Sequence, residues 1–230
     1  MRARVMFVLV AGLAGAAAVL GGLALVASGR FEAREAAEAA ARDLGRGVIA
    51  GSPMIGGPFS LVDHTGRQVT DATFRGKHLL VFFGFTNCPD VCPTALDRFA
   101  QVLELLGPAG EAVQPLMISV DPERDTPEVL AKYVTAFHPR LVGLTGSPEQ
   151  VKEAAARYRV YASKAPGGEA GNYDVSHSTF EYLMGPDGQN LYVFRSEAEP
   201  ENIAELIRRT MRQDTSATSP GYMPLSLIYQ

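Results

Sequence analysis

Two cysteines and one histidine carry most of the chemistry that this chain can offer. Cys88 and Cys92 are the only cysteines among 230 residues, and both stand in Phe85-Thr86-Asn87-Cys88-Pro89-Asp90-Val91-Cys92-Pro93. Three intervening residues hold two sulfurs near enough to meet one ion, or to close a disulfide where the Cα atoms come within ~7 Å. Two thiolates suit a soft ion, Cu(I) above all. Taken alone, the pair is also open to a plain structural disulfide, which an exported protein can keep. Two sulfurs leave a metal under-coordinated, and the chain has four histidines. His64 lies near a hairpin turn, His78 opens a strand and His138 precedes Pro139; each reads as a surface or capping side chain. His177 differs in context. It stands in the polar stretch Asn172-Tyr173-Asp174-Val175-Ser176-His177-Ser178-Thr179-Phe180, 89 residues beyond Cys88, where periodicity cannot bring it to the cysteines.

The elements around these residues have legible signals. His78 to Phe85 is a continuous apolar run, as expected of a strand buried on both faces. Pro93 to Leu106 has Leu96, Phe99, Leu103 and Leu106 on one helical stripe. The cysteines therefore fall between a buried strand and a helix, where functional sites of open α/β sheets collect. Pro93 suits a first helical position, which puts Cys92 at a helix N-terminus, a place that favours a thiolate. Phe59 to Val69 reads as a hairpin turning at Gly66. Pro115 to Val120 and Leu141 to Leu144 read as strands, and Tyr158 to Ala162 as extended chain. Thr126-Pro127-Glu128 opens a helix with the stripe Val129, Leu130, Tyr133, Val134 and Phe137. Ser147-Pro148-Glu149-Gln150 is a capping box. Phe180 to Met184 and Leu191 to Phe194 form a hairpin about Pro186-Asp187-Gly188, and Glu201 to Met211 is an amphipathic helix. Strands alternating with helices in this order imply an α/β sandwich around a mixed sheet.

The ends are different in kind. Val5 to Ala27 is 23 residues without a charge. As a helix it reaches roughly 34 Å, enough for a hydrocarbon core of about 30 Å. It is longer than the apolar part of a secretory signal and Val26-Ala27-Ser28 is a weak cleavage match, so an uncleaved anchor is expected, with a cleaved signal as the alternative; no Ser-rich, acid-poor presequence precedes it, which argues against an organellar transit peptide. Arg2 and Arg4 favour a cytoplasmic N-terminus, which places the rest of the chain across a bacterial inner membrane, in the periplasm. Phe31 to Gly45 is a solvated stalk, and Arg46 to Pro58 is rich in Gly and Pro, as linkers are. The expected organisation is an anchor over 1–30, stalk and linker over 31–58, a folded domain over 59–212 and an irregular tail over 213–230. Net charge is −4, but the first 30 residues carry +3, leaving −7 on the remainder. Such a domain is a poor binder of nucleic-acid phosphates. With 47% apolar residues the chain is not disordered as a whole, and two cysteines exclude a disulfide-dense scaffold, a four-cysteine zinc site and a four-cysteine iron–sulfur cluster.

The cysteine segment, followed by Ser119-Val120-Asp121-Pro122-Glu123-Arg124-Asp125-Thr126-Pro127 and by His177 with Gly185-Pro186-Asp187-Gly188, resembles the Sco/SenC family over roughly Phe59 to Met211. These are membrane-anchored copper proteins that take part in assembling the Cu-A site of cytochrome c oxidase. The resemblance implies a thioredoxin-like three-layer α/β sandwich with an N-terminal hairpin extension, tethered by one transmembrane helix. It implies that Cys88, Cys92 and His177 are ligands to copper, as Cu(I) and also as Cu(II), and that Cys88 and Cys92 cycle between dithiol and disulfide. The implied partners are subunit II of the oxidase and a copper donor. In the family an Asp commonly precedes the ligand histidine; here Ser176 does, so Asp174 or a backbone carbonyl is left to orient the imidazole. Three other readings compete with a copper metallochaperone. One is a thiol–disulfide oxidoreductase acting on the same subunit, which needs no histidine. Another is a redox sensor acting through a binding partner. The last is a peroxidase similar to peroxiredoxins, which the sequence around Cys88 does not favour.

Overall fold

The computed structural model describes residues 45–164, 173 and 175–217, and the side chains up to residue 213. The apolar run over 5–27, the stalk and Asp174 lie outside the described residues, and no helix among those described is long and apolar enough to cross a membrane. In chain order the strands and helices are β1 (Val48–Ala50), β2 (Ser60–Asp63), β3 (Gln68–Thr70), β4 (His78–Gly84), α1 (Val91–Leu106), β5 (Val113–Ser119), α2 (Pro127–Thr135), β6 (Val142–Thr145), α3 (Pro148–Arg157), β7 (Ala162–Lys164), β8 (Val175–His177), β9 (Glu181–Met184), β10 (Asn190–Phe194) and α4 (Pro200–Ala217). Short 3-10 helices follow β3 and α1.

All seven residues of β4 are buried, as a run of unbroken apolar side chains requires. It lies inside an eight-stranded sheet of order β1-β10-β9-β4-β5-β6-β2-β3. β4, β5 and β6 run parallel, while β9 pairs antiparallel to β4 and β2 to β6. Successive residues of β4 feed opposite faces. Leu80 and Phe82 join a core with Leu96, Phe99 and Leu103 of α1, Leu130 of α2 and Ile203 and Ile207 of α4. Leu79, Val81 and Phe83 join another with Val151 and Ala154 of α3, Tyr158 and Tyr182. Helices thus cover both faces of the sheet, which is the three-layer arrangement expected. β7 and β8 form a separate antiparallel pair, with Ala162 opposite His177.

The local signals hold where they are strongest. Ser147 accepts from Gln150 N–H, whose side chain in turn accepts from Ser147 N–H, and Thr126 accepts from Val129 N–H. Gly66 turns the first hairpin with φ +85°. Other expectations need correction. Val48–Ala50, read as linker, is an edge strand pairing Val48 with Phe194; three residues between glycines show no period, and the partner is remote in the chain. Helix α1 begins at Val91, so Pro93 is its third residue, not its first. Val129 is 39% exposed and leaves the α2 stripe to Leu130 and Val134. The chain over 158–162 is not simply extended, because Arg159 turns it with φ +58°. Helix α4 runs on through Ala217, past the expected start of the tail. No Gly or Pro stops it there, and adding a residue to a formed helix is easier than starting one.

Candidate metal centre

The chain leaves the buried β4 at Gly84 and enters α1 at Val91. The loop between them presents Cys88, and the first turn of α1 presents Cys92 from the helix face that packs on the sheet. Cys88 is half-buried, whereas Cys92 has no exposure. Cys92 N–H points at the Cys88 sulfur at 3.4 Å, and Cys88 N–H donates to the Phe85 carbonyl at 3.3 Å. An otherwise unpaired N–H of the helix start therefore serves the more exposed sulfur. Gly84 makes room for this packing. A Cβ there would lie 2.9 Å from the Cys92 sulfur and 2.6 Å from the Phe82 ring.

His177 ends β8 and reaches the same point from the far side of the chain. Its Nε2 lies 3.7 Å from the Cys92 sulfur. Its Nδ1 is 2.9 Å from the Ser178 carbonyl, which can only accept, so the proton belongs on Nδ1 and the Nε2 lone pair faces the sulfurs. Burial lowers the imidazole pKa and keeps that lone pair free, with the Ser178 hydrogen bond opposing weakly. The rings of Phe82 and Phe85 stand edge-on to the imidazole, with centroids 6.0 and 5.7 Å away. The backbone carbonyl thus orients the histidine, as the loss of the usual Asp left open. Ser176 is exposed and does not take part.

The two sulfurs and a histidine nitrogen lie within 4.8 Å of one another. Among the described residues this is the one such group of three or more potential metal ligands. Soft thiolates with an imidazole are a fitting donor set for copper or zinc. The expectation of a ready thiolate at Cys92 is not met. Burial pushes its thiol well above the ordinary range, the Phe85 backbone offsetting only part, and Cys88 and the Asp125 charge push the same way. Burial outweighs the helix terminus. The other histidines are used elsewhere. His64 and His138 accept backbone N–H groups from Gly143 and Arg140. His78, read as a surface or capping side chain, is 3% exposed, and its Nε2 is 3.3 Å from Thr210 Oγ1.

The site has supporting residues beyond the cysteines and His177. Asp125 is fully buried and accepts from the Thr86 N–H at 3.1 Å, the Thr86 hydroxyl at 2.6 Å and the Ser119 hydroxyl at 2.6 Å. Burial raises its pKa against those hydrogen bonds. This network holds the start of the cysteine loop to the end of β5. Its signal lay in Ser119 to Asp125, a stretch that carried the family resemblance with no role attached.

Comparison with known proteins agrees with this geometry. The family model described as SCO1/SenC matches residues 49–212. Protein SCO1 homolog, mitochondrial, from Homo sapiens is 44% identical over 193 residues, which cover 83% of this chain and 64% of that protein. The chain spans about three fifths of the length of the curated relatives it matches. Bradyrhizobium japonicum ScoI, solved with copper bound, is 44% identical with a TM-score of 0.63, covering 67% of this chain and 98% of that one. BsSco is 26% identical with a TM-score of 0.54, covering 72% of this chain and 97% of its own. It is described as carrying a disulfide switch and as a member of the Sco family of cytochrome c oxidase assembly proteins. A match from the first edge strand to the last helix, on a chain that gathers two cysteines and a histidine beside its central strand, shows that this protein belongs to the SCO1/SenC family.

Proposed function

We propose that this protein binds one copper ion through Cys88, Cys92 and His177 and serves as a copper metallochaperone in cytochrome c oxidase assembly, delivering to the Cu-A site of subunit II. One observation carries the reading: three soft or borderline donors, one from the loop after β4, one from the first turn of α1 and one from 85 residues beyond it, meet within 4.8 Å. Such a site suits Cu(I) in three-coordinate form, and the imidazole also suits Cu(II). Three ligands leave an approach for a fourth. A thiolate or imidazole of the receiving protein enters on the side of the half-buried Cys88 before a donor ligand leaves. The copper-bound B. japonicum relative and the Sco family's description as oxidase assembly proteins support the same reading. Val5 to Ala27 is proposed as the anchor that holds this domain on the periplasmic face of a bacterial inner membrane, near its target.

A second reading has its own support. Two free thiols, one half-exposed and one buried, are arranged like the attacking and resolving cysteines of a reductase, and BsSco carries a disulfide switch. Cys88 would attack a partner disulfide, and Cys92 would then displace the partner's thiol, leaving the Cys88–Cys92 disulfide. Two electrons pass to the partner, whose two sulfurs leave as thiols. Copper content separates the two readings. The reduced protein is loaded with Cu(I), desalted and assayed for copper per chain, alongside Cys88→Ser, Cys92→Ser and His177→Ala. About one copper in the wild type and loss in each variant is the expected result. A reduced wild type that keeps no copper would sink the chaperone reading and leave a redox pair.

A further inference from the structure

A column of stacked groups runs from the surface to the imidazole of His177. Lys164, at the end of β7, holds its ammonium 4.5 Å from the centroid of the Tyr173 ring. Against that ring, at 4.0 Å, lies the guanidinium of Arg124. The same guanidinium is 5.9 Å from the Phe85 ring, which stands edge-on to His177. Hydrogen bonds fix the middle of the column. Arg124 pairs with Asp121, and its Nη1 donates to the Tyr173 carbonyl at 2.9 Å. The Tyr173 hydroxyl donates to the other oxygen of Asp121. Glu123 holds Lys164 at 2.6 Å. Asp121, with no exposure of its side chain, also takes part in the turn that ends in Asp125. Tyr173 therefore ties the strand that carries His177 to the segment supporting the cysteine loop. Phe85 belongs to that loop.

We infer that Tyr173 and Arg124 are positioning residues for His177, holding its Nε2 on the two sulfurs through Phe85 and the β8 strand. The inference rests on the copper reading above and adds to it the residues that set how firmly the histidine is held. Without the column, β8 has, among the described residues, only the three-residue β7 as its strand partner, and a pair of strands that short is not stable alone. Cation–π contacts of a guanidinium between two rings give the column its stiffness without burying an unpaired charge. Lysine does not replace that planar group.

The test uses the full protein and Cu(I) alone, with affinity read by competition against a chromophoric Cu(I) chelator. Tyr173→Leu and Arg124→Met are expected to weaken Cu(I) binding about tenfold, within the range seen when groups orienting a metal ligand are removed. Tyr173→Phe keeps the ring and loses only the hydroxyl, so its loss is expected to be smaller. The deciding step is to repeat each variant on a His177→Ala background. A residue acting through His177 has no further effect once the imidazole is gone, whereas a merely structural residue still lowers affinity. Non-additivity of that kind, with the Cys88–Cys92 redox potential unchanged, is the expected result. Equal losses with and without His177 would overturn the inference, as would an unchanged affinity in Tyr173→Leu. If Tyr173→Leu fails to fold, the same cycle run with Tyr173→Phe decides. Were His177→Ala itself to keep full affinity, the ligand assignment would fail instead, an outcome distinct from the other two.

Discussion

Glu181 offers a quantitative check on the electrostatics beside the site. It lies on β9, four residues after His177, with its side chain 1% exposed, and pairs through Oε1 with Arg98 of α1. Arg98 also donates to the Ser196 carbonyl at 2.8 Å, and Glu181 Oε2 has no hydrogen-bond partner. Burial therefore outweighs the charge of Arg98 and raises the carboxyl from its ordinary 4.5 to about 7. A carboxyl raised on folding binds its proton more tightly in the native state. Its contribution to stability is then full below the unfolded value of 4.5 and is lost as pH rises through about 7. Linkage over those two values gives a loss of about 2.5 kcal/mol between pH 5 and pH 8. For a domain of this size that is a fall of about 5–10 °C in Tm.

The comparison is made against Glu181→Gln, which keeps the shape and removes the proton. Other groups titrate in the same window. Burial lowers the pKa of His138 and His177, which makes their effect run in the opposite direction. They are common to both proteins and drop out of the difference, and any fixed cost of leaving Arg98 without a carboxylate enters as an offset. Thermal unfolding of the reduced, metal-free protein at half-unit steps from pH 5 to 8 is the assay. The wild type is expected to lose ground to the variant as pH rises. A difference that stays flat across the window would mean that Arg98 holds the carboxylate ionised throughout, and would refute the balance argued here.

Three further outcomes follow from the same geometry. Iodoacetamide is expected to alkylate Cys88 about tenfold or more faster than Cys92, since Cys92 is without exposure and its thiol is pushed up by burial; peptide mass spectrometry over time would show it, and equal rates would contradict the burial. Asp63→Ala is expected to cost about 2–4 kcal/mol at pH 7 by urea unfolding, because the buried carboxylate ties the β2–β3 turn through Thr65 and Arg67. Burial alone would raise that carboxyl, but those bonds outweigh it and lower the pKa from 3.8 to about 2, so its stabilisation is full above pH 3.8 and lost as pH falls through about 2. The cost of the variant should accordingly shrink in acid, and a cost independent of pH would tell against the bonds. Gly84→Ala is expected to lower both stability, by about 1–3 kcal/mol, and copper retention, since the added methyl meets the Cys92 sulfur and the Phe82 ring; full copper retention would show that the cysteine can move aside freely.

What could be read from the sequence divides along the range of the forces involved. The seven-residue run of β4, the caps at Thr126 and Ser147 and the turn at Gly66 are all set by neighbours within four residues, and each is where its local signal put it. β1 has no such signal. Its three residues are ordered by hydrogen bonds to β10 and by Val48 packing with Phe194 across the sheet edge. The left-handed turn at Arg159 is likewise imposed from outside, because the chain must leave α3 and return along β7. His177 is the extreme case. Its place depends on the β7–β8 pair, the column from Lys164 to Phe85 and a hydrogen bond to Ser178, none of which leaves a periodic trace. Only the family resemblance named it.

Cys92 departs from the helix-terminus expectation for a different reason, and its burial does have a sequence signal. Cys92, Ala95, Leu96 and Phe99 fall at i, i+3, i+4 and i+7, so the cysteine begins the same stripe that buries α1 against the sheet. Helix starts favour thiolates, but the periodicity of this residue puts it in the core. In water the helix terminus would have won. Inside, with Phe82, Phe85 and the sheet around it, a lone thiolate is costly, and burial raises the pKa of the thiol. That burial makes the two cysteines unequal. Cys88 is half-buried and can be reached, while Cys92 is enclosed, and burial raises its thiol pKa and lowers that of the His177 imidazole.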